Sequence, residues 1–300
     1  MKTTISQLRV FDAVARTKSM SKAAEELKIS QPSVSTQLRA IENHAHARLL
    51  ARDGHTISLT RLGRIVLPKV RALLAIAADI DGVLSSERSL ESGLLRLGYS
   101  THQFAMPLIS GFMKAHPGVK VEARSMASLD VIARLRGGLV DVAMVTADIP
   151  PADLYSIEVR RDDVVLMVPV GHPLTKIGDD LLSWSQVSPY PLIRREETSG
   201  TRVIFDAAAR QAGVTLKTIL DLGSWESMRA GVIPGIAIGV ALMGETEPNE
   251  SYRVMRIDDP ALVAGHHVAC LPEMSHVAAV EAFLAIASTD RDASVTEVNL

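Results

Sequence analysis

The stretch SMSKAAEELKISQPSVSTQLRAIE, residues 19–42, predicts two short helices joined by a tight turn. Ser21 is suited to cap the first helix and Ser30 the second, because a serine hydroxyl accepts hydrogen bonds from the free N–H groups of a helix start. Pro32 falls in the first turn of the second helix, where its missing N–H costs nothing. Apolar residues recur at helical spacing in both helices: Ala23, Ala24 and Leu27, then Val34, Leu38 and Ile41. Each helix therefore has one face for a core.

The opposite face of the second helix has no carboxylate and no large apolar group. Short hydroxyls and an arginine approach phosphates and base edges closely, so this face is a candidate for reading DNA. The candidate residues are Ser30, Gln31, Pro32, Ser33, Ser35, Thr36 and Arg39. An ordinary solvated helix face stays open as the alternative from this window alone. Beyond it, Thr56–Leu59 alternates as a strand does, and Arg52 and His55 lie in the turn before it, within reach of a phosphate. A solvated hairpin tip explains His55 equally well.

With its flanks, this stretch resembles the winged helix-turn-helix of LysR-type transcriptional regulators. The resemblance spans about sixty residues and implies that the partner is double-stranded DNA. It is carried by Phe11, Ala23-Ala24, Leu27, Ser30-Gln31-Pro32-Ser33, Ser35, Gln37-Leu38, Ile41-Glu42, Leu49-Leu50, Arg52, Leu59-Thr60 and Gly63.

Charge is divided unevenly along the 300 residues. The net charge of −2 combines +6 in residues 1–65 with −8 in the remainder, so only the first domain suits a polyanion. The length suggests two or three domains of ordinary size, and the apolar content of 47% is enough for folded cores, which excludes wholesale disorder. The single cysteine, Cys270, lies in an apolar run and is predicted to be buried, which leaves no internal disulfide.

Several classes of protein are poorly supported by the sequence. The N-terminus lacks the apolar run of a signal peptide, and the most apolar stretch, residues 230–244, is too short to span a bilayer. We therefore expect a cytoplasmic protein that does not contact the membrane. No nucleotide-binding or nucleophile motif follows a strand, and His44 and His46 diverge on a helix. We expect no catalytic residues, no metal and no cofactor.

A long helix is predicted from Thr60 to about Arg88, with a kink expected at Pro68. Its apolar face is continuous and too large for a small domain to bury alone, so pairing with a second copy is expected. In the family this position holds the linker helix that makes the dimer. The pattern indicates at least a dimer, and a tetramer is equally open. The face is formed by Leu62, Ile65, Val66, Leu73, Leu74, Ile80, Val83 and Leu84.

From Gly93 onward strands and helices alternate, which predicts an α/β fold with a largely parallel sheet. The pattern resembles the two-lobed effector domain of the same family, itself similar to periplasmic solute-binding proteins. The expected organisation is a winged helix-turn-helix at 1–60, a linker helix at 61–90 and an effector domain at 91–300. Within the effector domain, lobe I covers about 91–161 and 266–300, and lobe II about 162–265.

Hydroxyl residues follow three separate strands of this region, where ligands bind in open α/β sheets. Hydroxyls and helix N-termini suit a small anion, although plain helix capping is about as good an explanation for any one residue. The spacing resembles the sulfur-assimilation branch of the family and a branch associated with aminoethylphosphonate use, which implies sulfate, phosphate or a phosphonate. A carboxylate is the alternative. The candidates are Ser100, Thr101, Gln103, Ser128, Thr146, Thr198, Ser199, Thr201, Arg202, Trp225 and Glu226. For Trp225, ordinary packing is the better single-residue explanation.

The leading hypothesis is thus a ligand-responsive transcription factor. A cytoplasmic solute-binding protein whose first helices serve only to dimerise is the second hypothesis, and a specific DNA footprint separates the two. A small-molecule transferase or hydrolase is the third, and it requires a nucleophile and base in contact.

Overall fold

The computed structural model describes residues 3–53, 56–84, 93–177 and 180–297. The chain divides into two compact units. The first contains residues 1–90 with the short segments 136–139 and 273–278, and the second contains the rest.

The first unit is a helical domain with a two-stranded hairpin. Its elements are α1 (Ile5–Thr17), α2 (Met20–Glu26), α3 (Gln31–Ala45), β1 (Leu50–Asp53), β2 (Thr56–Leu59) and α4 (Arg61–Leu84). The apolar faces of α1, α2 and α3 meet around the fully buried Phe11 and Val34. Strands β1 and β2 pair antiparallel and form the wing. The predicted winged helix-turn-helix is therefore confirmed.

One cap differs from the prediction. Ser19, in extended conformation, accepts a hydrogen bond from the N–H of Lys22 and caps α2. Ser21 lies inside the helix, where its hydroxyl donates instead to Gln31 Oε1 at 3.3 Å. The helix starts two residues earlier than the hydrophobic pattern indicated, because Met20 packs against the core and extends the apolar face.

Helix α4 continues through Pro68 up to Leu84, and the predicted end near Arg88 lies outside the described residues. Leu73 and Leu74 pack against the core of the first unit. Ile76, Ile80 and Leu84 follow at intervals of four residues and are exposed.

The second unit contains ten strands and six α-helices in the described part of the chain. The strands are β3 (Gly93–Tyr99), β4 (Val119–Ser125), β5 (Val142–Ala147), β6 (Tyr155–Pro169), β7 (Leu181–Leu182), β8 (Pro191–Arg195), β9 (Lys217–Leu222), β10 (Ile238–Leu242), β11 (Tyr252–Ile257) and β12 (Val263–Cys270). The helices are α5 (His102–Ala115), α6 (Ser128–Arg136), α7 (Trp184–Val187), α8 (Gly200–Gln211), α9 (Trp225–Val232) and α10 (Ala278–Glu297).

The long strand β6 joins two halves of the sheet. Its first part, up to Asp163, pairs antiparallel with β12, next to β5, β3 and β4. Its second part, from Val164, pairs antiparallel with β10 and β11, and β8 and β9 continue that half. Strands β3–β4–β5 and β8–β9–β10 are parallel, as the alternating pattern predicted. The two-lobed α/β fold is thus confirmed, but the sheet is mixed rather than largely parallel, because β6 and β12 run against their neighbours.

Candidate nucleic-acid surface and ligand site

The exposed face of α3 carries the residues proposed to read DNA. Ser30 caps the helix by accepting a hydrogen bond from the N–H of Ser33 at 3.3 Å, and Pro32 lies in the first turn. Gln31, Pro32, Thr36 and Arg39 are exposed, and Ser33 and Ser35 are half-buried. The polar face is therefore available to a partner.

A concave surface of about 480 Å³ lies between α3 and the wing. Ser35, Arg39 and Arg52 line it together, and both arginines are exposed. His55, the other candidate from the wing, lies outside the described residues. Two guanidinium groups flanking one groove form a positive surface that suits phosphates.

A buried carboxylate holds α3 against the wing. Glu42 Oε1 accepts hydrogen bonds from the backbone N–H of Leu49 at 2.9 Å and of Leu50 at 3.3 Å, and Oε2 accepts from Arg48 at 2.7 Å. Glu42 is 6% exposed, whereas the Arg48 side chain is 75% exposed. Glu42 therefore sets the position of the wing relative to the helix that is proposed to read DNA.

In the second unit, hydroxyls from the ends of β3 and β5 meet at the start of α5. The Oγ1 atoms of Thr101 and Thr146 are 3.3 Å apart, and Ser100 Oγ is 3.5 Å from Thr146 Oγ1. Thr101 precedes α5 but makes no side-chain capping bond, so its hydroxyl is not used by the helix. We call Ser100, Thr101 and Thr146 the hydroxyl cluster.

The start of α8 meets the same strand end from the other lobe. Ser128 accepts from the N–H of Thr146 at 3.2 Å, and the carbonyl of Thr198 accepts from the N–H of Leu129 at 3.1 Å. A Cβ on Gly200 would lie 1.9 Å from the carbonyl oxygen of Thr146, so only glycine allows this close approach. The three strand ends named from the sequence are thus brought together.

Some of the remaining candidates are buried near the hydroxyl cluster, and others already have another partner. Ser199 and Thr201 are buried at the start of α8, and Gln103 Oε1 is buried and has no hydrogen-bond partner among the described residues. Thr198 points elsewhere, because its hydroxyl donates to Asp130 at 3.0 Å. Ser128 serves the backbone of Thr146.

Three candidates from the sequence have other roles in this structure. The guanidinium of Arg202 donates to the carbonyl of Arg195 and to the carboxylate of Asp221, both at 2.8 Å, which leaves it little capacity for a ligand. Trp225 is 8% exposed and packs in the core of lobe II. Glu226 is exposed at the start of α9, 3.7 Å from Nδ1 of His102. A hydrogen bond from its own backbone N–H lowers the pKa of the Glu226 carboxyl.

Sequence reasoning missed a buried polar group beside the hydroxyl cluster. His266, on β12, is fully buried, and its Nδ1 is 3.5 Å from Thr146 Oγ1. Its Nε2 is 3.7 Å from Asp162 Oδ2, and Asp162 accepts from the N–H of Gly244 at 2.9 Å. Nearby, burial raises the pKa of Glu245 to about 7. The available signal was the pair His266-His267 inside an otherwise apolar strand.

Two family models match the chain. The model described as "Bacterial regulatory helix-turn-helix protein, lysR family" matches residues 5–64, and "LysR substrate binding domain" matches residues 88–290. The chain therefore belongs to the LysR family, and it is a ligand-responsive transcriptional regulator rather than an enzyme.

Similar proteins agree with this placement. The "RuBisCO operon transcriptional regulator" of Allochromatium vinosum is 29% identical over 263 residues, which cover 86% of each chain. A full-length OxyR variant from Pseudomonas aeruginosa has a similar fold, with a TM-score of 0.78 at 18% identity over 97% of this chain and 95% of that one. Full-length CbnR complexed with its target DNA matches with a TM-score of 0.58 at 18% identity, covering 96% of this chain and 99% of that one. These relatives give no support to the sulfur-assimilation or aminoethylphosphonate branch.

Within the described residues, no helix is both long and apolar enough to cross a membrane. No group of three His, Cys, Asp or Glu side chains in the same residues is placed to hold a metal ion.

Proposed function

We propose that this regulator binds double-stranded DNA as a dimer or tetramer and changes its DNA binding when a small anion enters the hydroxyl cluster. In this proposal residues 1–60 bind DNA, 61–90 pair with a second copy and 91–300 bind the anion. Because its target is DNA, we place the protein in the cytoplasm. The observation that carries the proposal is the meeting of three hydroxyls at the start of α5, beside a buried histidine.

The DNA part of the proposal rests on α3 and the wing. Arg39 and Arg52 line one groove, and the first turn of α3 presents small polar side chains. This arrangement fits a recognition helix in the major groove with a wing on the backbone. CbnR, which has a similar fold, has been solved with its target DNA.

The pairing part rests on the exposed stripe of α4. Ile76, Ile80 and Leu84 lie on one helix face and are 42%, 54% and 76% exposed. Three large apolar side chains at spacing of four residues favour a helix–helix contact with a second copy. Leu73 and Leu74, which we expected in this seam, pack mainly on the first unit.

The anion part rests on the donors of the hydroxyl cluster. A dianion is best held by many short donors, and hydroxyls beside the positive end of α5 supply them. The rival ligand is a carboxylate, which needs only two or three of the same donors. Two carboxylates near the site already have partners: Asp162 is engaged by the N–H of Gly244, and Glu226 is 3.7 Å from the ring of His102.

Calorimetry on the full chain tests the ligand. We expect saturable binding of sulfate, phosphate or 2-aminoethylphosphonate, and loss of that binding in Thr101→Ala. Thr198→Ala is the matched control, because that hydroxyl is bonded to Asp130, and it should bind like the wild type. Binding of an uncharged or aromatic ligand, equal in all three proteins, would contradict an anion site.

A further inference from the structure

The buried histidine beside the hydroxyl cluster has two different neighbours. Nδ1 of His266 faces the hydroxyl of Thr146 at 3.5 Å, and Nε2 faces the carboxylate of Asp162 at 3.7 Å. The ring lies 4.9 Å from that of Phe104 and is shielded from solvent. Nε2 has no hydrogen-bond partner within the described residues.

These two neighbours fix which protonation state the ring requires. A carboxylate only accepts hydrogen bonds, so Nε2 is best protonated. Without an anion, the Thr146 hydroxyl is able to donate its proton to Nδ1, and a neutral ring protonated at Nε2 then suits both neighbours. A hydroxyl has one proton, however, and it cannot donate to the ring and to a bound anion at once.

We propose that His266 makes anion binding proton-coupled: the hydroxyl cluster binds an anion together with one proton, which His266 takes from the solvent. This inference rests on the proposed function. When Thr146 turns its proton to the anion, its oxygen becomes an acceptor toward Nδ1. Both ring nitrogens then face acceptors, which only the imidazolium satisfies. The bound anion and Asp162 also compensate the charge that burial otherwise disfavours.

Other charged and titratable groups surround the ring. Arg160 lies opposite His266 in the β6–β12 register, and its guanidinium is 5.7 Å from the centre of the Phe104 ring. Its positive charge disfavours the imidazolium form of His266. Burial, and to a lesser extent the charge of Asp162, raise the pKa of Glu245, which keeps this carboxyl protonated up to about pH 7. The neighbour His267 is 3.1 Å from the carbonyl of Ala147, and burial lowers its pKa. Asp162 is the carboxylate that faces His266, with its Oδ2 atom 3.7 Å from Nε2.

The test uses the full-length protein and sulfate, whose charge is constant between about pH 6 and about pH 8. Calorimetry in two buffers of different ionisation enthalpy gives the protons taken up per anion. We expect an uptake approaching one, and an affinity that falls by up to about tenfold per pH unit as pH rises through this range. In His266→Gln both effects should disappear. In Asp162→Asn the proton uptake should be smaller than in the wild type, because no carboxylate then compensates the imidazolium.

His267→Gln is the matched control, since this second buried histidine does not contact the hydroxyl cluster, and it should keep the proton uptake. Sulfate binding without proton uptake, or with equal uptake in His266→Gln, would overturn the inference and leave the proposed anion site standing. If none of sulfate, phosphate and 2-aminoethylphosphonate binds the wild type at any pH in this range, the proposed function fails and the inference with it. Thermal unfolding of each variant checks that it is folded.

Discussion

Replacing Glu42 by alanine tests how the wing is attached to the helix that is proposed to read DNA. The substitution removes the acceptor of two backbone N–H groups, those of Leu49 and Leu50, which are 1% and 7% exposed. Each buried N–H left without a partner costs about 1–3 kcal/mol, so the two together predict a loss of about 2–6 kcal/mol in the stability of the first unit. The partner Arg48 is largely exposed, and its ion pair contributes at most about 1 kcal/mol.

Urea unfolding followed by circular dichroism measures the loss, with the first unit unfolding at lower urea in Glu42→Ala. Glu42→Gln keeps one acceptor oxygen and should lose only about 1–2 kcal/mol. Arg48→Ala serves as control and should stay within about 1 kcal/mol of the wild type. The reasoning would be refuted by a Glu42→Ala protein as stable as the wild type, or by an Arg48→Ala protein destabilised as strongly as Glu42→Ala.

Three further predictions concern DNA binding, pairing and pH. Arg39→Ala should weaken specific DNA binding by about 1–3 kcal/mol if Arg39 reads a base, as measured by fluorescence anisotropy. An equal loss of affinity for specific and random DNA would identify a phosphate contact instead. Ile80→Glu places a charge in the exposed stripe of α4 and should yield monomers in sedimentation velocity; an intact dimer would remove the stripe from the interface. Burial raises the folded-state pKa of Glu245 from 4.5 to about 7, so its contribution to stability is fully present below pH 4.5 and is lost as pH rises through about 7. The stability of Glu245→Gln relative to the wild type should therefore rise by up to about 3 kcal/mol from about pH 5 to about pH 8, as measured by urea unfolding. A stability difference between the two proteins that is equal at both pH values would contradict the raised pKa.

Local patterns predicted most of the first unit. Apolar residues at helical spacing, the cap at Ser30 and Pro32 in the first turn of α3 each act within a few residues, and the structure has them as predicted. The cap of α2 was misplaced by two residues because the burial of Met20 depends on tertiary contacts. Cys270 is fully buried, as its apolar neighbours indicated.

In the second unit, the sequence predicted the parallel strands but not the pairing that joins the lobes. The first part of β6 and the whole of β11 were missed, because Tyr155–Asp163 and Tyr252–Ile257 carry several charges that mask the strand pattern. Helix α9 was missed for the same reason, since Glu226 and Arg229 interrupt a short apolar face.

In the ligand site, too, local patterns did not predict contacts between residues that are distant in sequence. Thr101 and Thr146 were named because each follows a strand, and strand ends meet at one edge of a sheet. His266 lies on β12 and Asp162 on β6, and their distance to Thr146 depends on a strand register that no local pattern encodes. Arg202 was named because it follows Ser199 and Thr201 at the predicted start of a helix, whereas its carboxylate partner Asp221 lies nineteen residues away in sequence.

Sensing of an anion by a DNA-binding regulator is best tested by a DNase I footprint of the full-length protein on the DNA upstream of its own gene, with and without sulfate or phosphate. We expect protection of an interrupted inverted repeat, with half-sites about one helical turn apart or a multiple of it. The anion should change the extent or the affinity of that protection in the wild type and leave it unchanged in Thr101→Ala. Protection of no specific site at moderate salt would contradict DNA recognition by α3. A specific footprint that the anion alters equally in both proteins would contradict the hydroxyl cluster as the place where the regulator senses its ligand.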